Sequence, residues 1–338
     1  MTIVVTGAAG FIGSNLVRHL VDRWPDRDIV SFDLLTYAGS LENLRDVEGH
    51  ARHTFVRGDI ADRGAVRAVF DDHDVDGVIH LAAESHVDRS IADPNEFVRT
   101  NVVGTVTLLQ EATRAWEGRD DVRFHHVSTD EVFGALGPTG VFTEASPYSP
   151  NSPYAASKAS SDHFVRAWHE TYELPVVVTN CTNNYGPFQY PEKLIPVVIT
   201  RAVAGDPVPI YGSGTNVRDW LFVEDHCEAL GLVFEQGRDG RTYGIGGGCE
   251  MSNRELAALI LDLVDEALGR DRGTSRSLMT TVGDRPGHDF RYALDTTRIA
   301  DELGWQPTTE LRDGLGATVD WYLSHPEWVE AATKGLPS

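Results

Sequence analysis

The sequence has 338 residues, which at roughly 150 residues per domain means about two domains or one elaborated one. Lys and Arg total 29 against 51 Asp and Glu, a formal net charge of −22. No Lys/Arg-rich run interrupts that acidity, so a nucleic-acid binder and a protein of anionic membrane surfaces are both excluded. Any anionic ligand must therefore meet positive charge concentrated locally.

In chain order, short apolar β-branched runs alternate with helical stretches. Ile3–Thr6, Ile29–Phe32, His53–Val56, Gly77–Leu81, Arg123–Ser128 and Val176–Asn180 read as buried parallel strands. Ser14–Asp22, Val98–Trp116 and Ala156–Tyr172 carry helical periodicity between them. This alternation predicts an α/β fold, a doubly wound parallel sheet of the Rossmann kind. Beyond about residue 180, prolines and glycines increase and strands shorten, with helices at Asn253–Leu268 and Leu311–Leu323. A smaller C-terminal α/β substrate-binding domain is expected there. The reading gives residues 1–181 plus about 217–245 to the dinucleotide-binding domain, and 182–216 and 246–330 to the smaller one. Thr242–Ile245 is placed as a strand returning to the large sheet, and Glu330–Ser338 as a loosely held tail.

Cys181, Cys227 and Cys249 are odd in number and widely spaced, with no C-x-x-C, so neither a disulfide framework nor a structural zinc site is expected. His125 and His126 alternate across a strand and cannot easily share a metal, and His80 reads as a hydrogen-bonded core residue. No metal is assigned. No apolar run approaches the roughly 18 residues of a membrane span, and the N-terminal run lacks the marks of a signal peptide. A reduced, cytoplasmic protein is expected.

The first strand runs into Gly7-Ala-Ala-Gly10-Phe11-Ile12-Gly13 and then a helix. Glycines allow a tight turn and close approach of a pyrophosphate, and the helix N-terminus offers free N–H groups and a positive dipole end. The strand–turn–helix context makes this G-x-x-G-x-x-G a dinucleotide site. Asp33 closes the second strand, where a carboxylate accepts both ribose hydroxyls and repels a 2′-phosphate. Leu34, Leu35 and Thr36 follow with no Arg, so NAD is favoured over NADP. Asp59-Ile60 and Leu81-Ala82-Ala83 lie at further strand ends, where ligands bind in such sheets.

Tyr154 and Lys158 form Y-x-x-x-K, one face of a helix. An ammonium beside a phenol favours the phenolate, so the Tyr pKa is expected to fall from about 10 toward the working range. Thr129-Asp130-Glu131 follows the fifth strand. Adjacent carboxyl groups in different environments can hold different protonation states, one an acid and one a base. A simple alcohol dehydrogenase has no work for that pair; an elimination of water does.

Longer stretches extend the pattern: 34–39 (LLTYAG), 83–90 (AESHVDRS), 128–134 (STDEVFG), 152–158 (SPYAASK), 180–186, 191–196 (PEKLIP), 218–220 (RDW) and 284–288 (DRPGH). Together with the glycine loop and Tyr154/Lys158, they resemble the dTDP-glucose 4,6-dehydratases, a branch of the extended short-chain dehydrogenase/reductases, over residues 1 to about 325. Phe133, where the family usually has Tyr, and Gly248–Ser252, with Cys249, depart from the pattern. The resemblance implies a tightly bound, recycled NAD, with Thr100 and Asn184 added to its contacts. It implies that Tyr154, helped by Lys158, takes the O4 proton, that Thr129 hydrogen-bonds O4, that Glu131 removes the C5 proton and that Asp130 protonates the departing C6 hydroxyl. Hydride leaves C4 and returns to C6. Substrate contacts implied by position are Ser85, Asn183, Lys193, Leu194, Pro209, Tyr211, Asn253 and Tyr292. Arg218, Arg285 and His288 would neutralise the diphosphate, a local positive pocket in an acidic chain. The family's homodimer, a four-helix bundle, would use Val98–Trp116 and Ala156–Tyr172. Dehydration of UDP- or CDP-glucose, a nucleotide-sugar epimerase or decarboxylase, and a non-catalytic NAD-binding sensor are the alternative readings.

Overall fold

The computed structural model describes residues 1–284 and 287–334. Its strands, in chain order, are β1 Thr2–Thr6, β2 Asp28–Asp33, β3 His53–Arg57, β4 Val75–His80, β5 Arg123–Thr129, β6 Val176–Cys181, β7 Asn183–Tyr185, β8 Val208–Tyr211, β9 Val217–Phe222, β10 Thr242–Ile245, β11 Glu250–Ser252 and β12 Met279–Val282. Seven of them form one sheet in the order β10-β6-β5-β4-β1-β2-β3, parallel throughout. Order reverses after β1, and ligands bind in such sheets beyond the strand ends at that crevice. The doubly wound Rossmann arrangement is therefore present, and Thr242–Ile245 does return to its edge beside β6.

Near-continuous apolar strands need cover on both faces. One face is covered by Phe11–Arg23 and Val223–Gln236, where Leu16, Leu20, Leu230 and Phe234 pack over Ile3 and Ile79. The other receives Phe70, Leu108, Leu109, Trp116 and Val165 against Val4, Val78 and Phe124. The indole of Trp116 donates to the Val75 carbonyl at 2.6 Å, so its burial leaves no donor unpaired.

The helix expected over Val98–Trp116 is interrupted. Pro94–Phe97 leads into a π-helical stretch, Val98–Gly104, before regular helix resumes at Thr105–Ala115. Asn101 explains the widening. Buried there, it donates to the Glu84 carbonyl at 3.0 Å and to Ser157 Oγ at 2.8 Å, while the hydroxyls of Thr105 and Ser161 take its own carbonyl. Such bulges draw a functional side chain out of helical register, and periodicity cannot announce them. The second expected helix begins three residues early, at Pro153, with Ser152 capping the Ala155 N–H.

The smaller layer is a three-stranded sheet, β11-β9-β7, with the parallel pair β12-β8 beside it. Its core, including Ile195, Val198, Leu256, Ile260 and Leu315, lies under helices Leu194–Ala204, Asn253–Ala267 and Leu311–Ser324. Strand β9, expected in the large domain, pairs with β7 and β11 in the smaller sheet, so the return to the large sheet's layers starts at Val223. Ile299 and Trp305 pack into the core of the large sheet, although they lie in the stretch expected to be substrate domain. The tail is held further than expected: Pro326–Thr333 is helical, and Trp328 donates to Asn43 Oδ1 at 2.7 Å. No described helix is long and apolar enough to cross a membrane.

Candidate active site

The carboxyl ends of β1, β2, β4, β5 and β6 open into one cleft. The glycine loop forms its floor. Gly7 has φ +69°, and a Cβ there would sit 2.7 Å from the Ala82 nitrogen; a Cβ at Gly13 would lie 2.1 Å from the Gly7 carbonyl oxygen. Only glycine lets this turn fold onto its own helix start and against the strand end at Leu81 and Ala82. Helix Phe11–Arg23 has no side-chain cap, and its first internal bond runs from the Ser14 N–H to the Gly10 carbonyl. The preceding N–H groups of Phe11, Ile12 and Gly13 have no partner within the helix and line the cleft, an anion cradle. Gly13→Ala should therefore release the dinucleotide and lower Tm by several degrees. The check is nucleotide recovered from denatured protein together with a thermal melt; a variant that keeps full occupancy would refute the role of this contact.

Asp33 accepts from Ala9 N–H at 2.9 Å and Leu35 N–H at 2.7 Å, one bond on each oxygen. Burial raises its pKa and these two bonds oppose that rise. A carboxylate with about four acceptor sites keeps capacity for a ribose diol after giving up two. Asp59 accepts from Ala61 N–H at 2.8 Å and pairs with Arg99, so its carboxylate is already engaged. Ile60, Leu34, Thr36, Leu81, Ala83 and Thr100 complete this part of the cleft wall. Asn184 also lines it, with Oδ1 2.8 Å from His226 Nδ1.

Tyr154 and Lys158 both line the cleft and are 9 % and 4 % exposed. The Lys158 ammonium donates to the Val127 carbonyl at 2.8 Å. Burial lowers its pKa, and Asp162 and Cys181 push back upward. The expected fall in the Tyr154 pKa is not found. Burial raises it well above the usual phenol range, Glu131 adds to the rise, and a hydrogen bond with Thr129 works against it. The phenol is dry and faces a carboxylate, and the Lys158 ammonium bonds a backbone carbonyl.

The two carboxyl groups sit in different surroundings. Asp130 is 2 % exposed, and burial raises its pKa well above the carboxylate range, with Glu131 as the next cause. Its Oδ1 accepts from Thr129 Oγ1 at 3.3 Å, and Oδ2 is buried without a partner in the structure. Buried Asp130 and Glu131, which lines the cleft, share one turn, an arrangement that can place an acid beside a base. Thr129 Oγ1 also caps that turn, accepting from Glu131 N–H at 3.3 Å.

Of the expected substrate contacts, Ser85, Asn183 and Lys193 join Thr129 and Glu131 in the cleft, and Lys193 reaches the Ser85 carbonyl at 3.4 Å. Arg218 and Tyr292 stand behind Asp130 and Glu131 and do not line the cleft; the guanidinium is 4.3 Å from the Tyr292 ring centroid. Burial and Glu131 raise the Tyr292 phenol, whose hydroxyl donates to Asp289. The expected positive pocket is only partly assembled. Arg218 is 5 % exposed and donates to the carbonyls of Val217 (2.7 Å) and Asp289 (3.0 Å), His288 sits 2.7 Å from Asp284, and Arg285 lies outside the described residues. Pro209 and Tyr211 lie on β8, and Tyr211 is 45 % exposed. Leu194 and Asn253 are the first residues of their helices. None of these four, nor His288, lines the cleft.

Several wall residues carried no assigned role: Tyr37, Glu84, Cys181, Gln189, Tyr190 and Glu192. Tyr37 and Glu192 fall inside the quoted stretches and meet across the cleft, the phenol donating at 3.1 Å. Cys181 is the last residue of β6 and had no role assigned. The three cysteines are free, and no described group of three or more His, Cys, Asp or Glu is arranged to hold a metal. His80 is the core residue expected, between Thr6 Oγ1 (2.7 Å) and Thr105 Oγ1 (3.0 Å). Phe133 is also core, stacked on Phe142 at 5.2 Å.

Comparison with known proteins agrees with this geometry. The model of the GDP-mannose 4,6 dehydratase family matches residues 4–318. The dTDP-glucose 4,6-dehydratase of Xanthomonas campestris pv. campestris (strain B100) is 53 % identical over 340 residues, covering 99 % of this chain and 96 % of that protein. The dTDP-glucose 4,6-dehydratase 1 of Escherichia coli (strain K12) is 50 % identical over 349 residues, covering 99 % and 96 %. The crystal structure of DesIV, a dTDP-glucose 4,6-dehydratase from Streptomyces venezuelae with NAD and TYD bound, superposes with TM-score 0.91 at 48 % identity, covering 98 % of this chain and all of that one. A UDP-glucose 4-epimerase from Thermotoga maritima shares the fold at TM-score 0.85 but only 29 % identity, covering 96 % of this chain and 100 % of that one. The chain belongs to the nucleotide-sugar 4,6-dehydratase family that this model describes, and its full-length relatives are dTDP-glucose 4,6-dehydratases.

Proposed function

We propose that the protein is a hydro-lyase that converts dTDP-glucose to dTDP-4-keto-6-deoxyglucose with NAD as a recycled cofactor. The observation that carries the reading is the carboxyl pair. An epimerase needs Tyr154 and Lys158 but has no use for an acid and a base side by side at Asp130 and Glu131. The glycine cradle and the spare acceptor capacity of Asp33 fit NAD, and a 2′-phosphate would meet that carboxylate. When bound, NAD accepts hydride from C4 and returns it to C6.

The chain's residues supply the proton chemistry. Tyr154, next to Lys158, takes the O4 proton while Thr129 Oγ1 hydrogen-bonds that oxygen. Ketone formation acidifies the C5 hydrogen, which Glu131 removes. Asp130, kept neutral by burial, gives its proton to the C6 hydroxyl as water leaves, and C5 is reprotonated once hydride has reached C6. Ser85, Asn183 and Lys193 hold the sugar and diphosphate from the cleft side. Pro209, Tyr211, Asn253 and Leu194 would serve the nucleotide, and Arg218, Arg285, His288 and Tyr292 would complete the pocket.

The protein is further read as a cytoplasmic homodimer. Val98 and Val103 on one helical stretch, and Phe164 and Tyr172 on the Tyr154 helix, are apolar and 52, 47, 39 and 55 % exposed, which supports pairing into a four-helix bundle. The test is incubation with dTDP-, UDP- and CDP-glucose, following the alkali-induced absorbance of a 4-keto sugar. dTDP-glucose should give product with no added cofactor. Tight binding of dTDP-glucose without product would sink the dehydratase reading.

A further inference from the structure

One turn beyond Lys158 on the Tyr154 helix stands Asp162, so Tyr154, Lys158 and Asp162 fall on one stripe at i, i+4 and i+8. Asp162 is 4 % exposed. Four side chains converge on its carboxylate. Ser128 Oγ donates to Oδ2 at 2.9 Å, the Tyr148 hydroxyl at 2.8 Å and Asn180 Nδ2 at 3.5 Å, while His126 Nε2 lies 3.1 Å from Oδ1. Three donors meet Oδ2, and His126 Nε2 adds a fourth at Oδ1 in the tautomer that carries its proton there; a buried charge persists only when so compensated.

These partners are not scattered. Ser128 immediately precedes Thr129 on β5, and Asn180 Nδ2 also donates to the Thr129 carbonyl at 3.0 Å. The carboxylate thus joins the helix carrying Tyr154 and Lys158 to the strand end carrying Thr129, Asp130 and Glu131. It is also the negative neighbour of Lys158. The other groups facing that ammonium are Tyr154 on its own helix, His126 on β5, His80 on β4 and Cys181 on β6. Burial holds both histidines neutral, His126 down to about 4, and pushes the Cys181 thiol up to about 12. Among these groups Asp162 supplies the opposing charge.

We propose that Asp162 is a positioning residue for the oxidation at C4: its carboxylate keeps the buried Lys158 ammonium charged and ties the Tyr154 helix to the strand end that carries Thr129. The proposal rests on the dehydratase reading and deepens it. It assigns the working form of the Tyr–Lys pair to a third residue on the same stripe.

The sequence contains three lysines, Lys158, Lys193 and Lys334, so holoenzyme labelled with ¹³C at lysine Cε gives few enough signals to follow by NMR against pH. In the wild type the Lys158 signal should stay at its charged position throughout the pH range in which the enzyme turns over. In Asp162→Asn it should titrate at least about one pH unit lower, and kcat at about pH 8.5 should fall about tenfold more than at about pH 6.5. Asp162→Glu, which restores the charge, should recover part of the high-pH activity. An unshifted Lys158 titration in Asp162→Asn, or a loss of turnover by the same factor at every pH, would overturn the proposal. If Asp162→Asn yields no folded holoenzyme, the wild type decides: a Lys158 signal that is neutral where the enzyme turns over overturns it, and one that stays charged there supports it. Wild-type turnover of dTDP-glucose in the same series separates the two claims. Its failure would strike the dehydratase reading, whereas normal wild-type turnover beside an unshifted variant strikes only Asp162.

Discussion

Tyr154→Phe should lower kcat by about 10³-fold, within the roughly 10²–10⁴ that a positioned acid–base group contributes, while NAD occupancy stays near wild type. The hydroxyl is the one atom lost. The ring keeps its place on the first turn of the Pro153–Tyr172 helix, edge-on to Phe97 with centroids 6.3 Å apart. The hydroxyl sits where deprotonation is hard: burial and Glu131 both hold the phenol protonated in the structure described. To take the O4 proton Tyr154 must act as the phenolate, having released its own proton to solvent through the cleft; the Lys158 ammonium beside it favours that form, and no neighbour can substitute directly. Lys158 is committed to the Val127 carbonyl and the Cys181 thiol is pushed up to about 12. Steady-state turnover of dTDP-glucose, with nucleotide released by denaturation as the occupancy control, checks the expectation. Turnover above about a tenth of wild type would remove Tyr154 from the role of base.

The large sheet was legible because its strands are apolar runs punctuated by glycine and aspartate, and because Gly7–Gly13 sits between a strand and a helix. Two-sided burial imposes that pattern on the sequence. The cofactor half of the cleft followed for the same reason: residues at consecutive strand ends must meet at the carboxyl edge, and every residue assigned there lines the cleft. The substrate half was less legible. Arg218 reads as a diphosphate ligand by residue type; in the structure Nη1 and Nη2 also donate to backbone carbonyls of its own layer, and no local signal announces those bonds. Short strands such as β11 and β12 hold three and four residues, too few for an alternation to register. The π-helical turn at Val98–Gly104 depends on Asn101 reaching Glu84 and Ser157, contacts 17 and 56 residues away in sequence. The Tyr154 environment was missed for a related reason. The spacing to Lys158 is local, whereas the burial and the facing carboxylate of Glu131 come from tertiary structure.

Asp130→Asn should nearly abolish product formation and at the same time stabilise the protein. The two effects have one cause. Asp130 is fully buried and its carboxyl is raised well above the ordinary range by burial and by Glu131, so the folded chain holds a proton that the unfolded chain releases above about pH 4. The folded state then binds more protons than the unfolded state, and stability falls as pH rises from the unfolded value toward the folded one. Asparagine carries no such proton and escapes that penalty. Variant and wild type should melt alike near pH 4, and the variant should melt higher by about 2 °C or more near pH 8, since one pKa unit corresponds to about 1.4 kcal/mol. Activity moves the other way. Without the acid at C6, water cannot leave, and a loss of about 10²–10⁴-fold is expected. Glu131→Gln should differ in kind. It leaves Tyr154 and Lys158 to oxidise C4, so absorbance of reduced nicotinamide should appear on adding dTDP-glucose and persist, with C5 proton removal stalled. Melts of Asp130→Asn between about pH 4 and pH 8, alongside single-turnover absorbance of Glu131→Gln, read both expectations. A pH-independent difference in melting would mean that Asp130 holds no proton in the fold. Unchanged turnover of Glu131→Gln would move the C5 base elsewhere in the cleft.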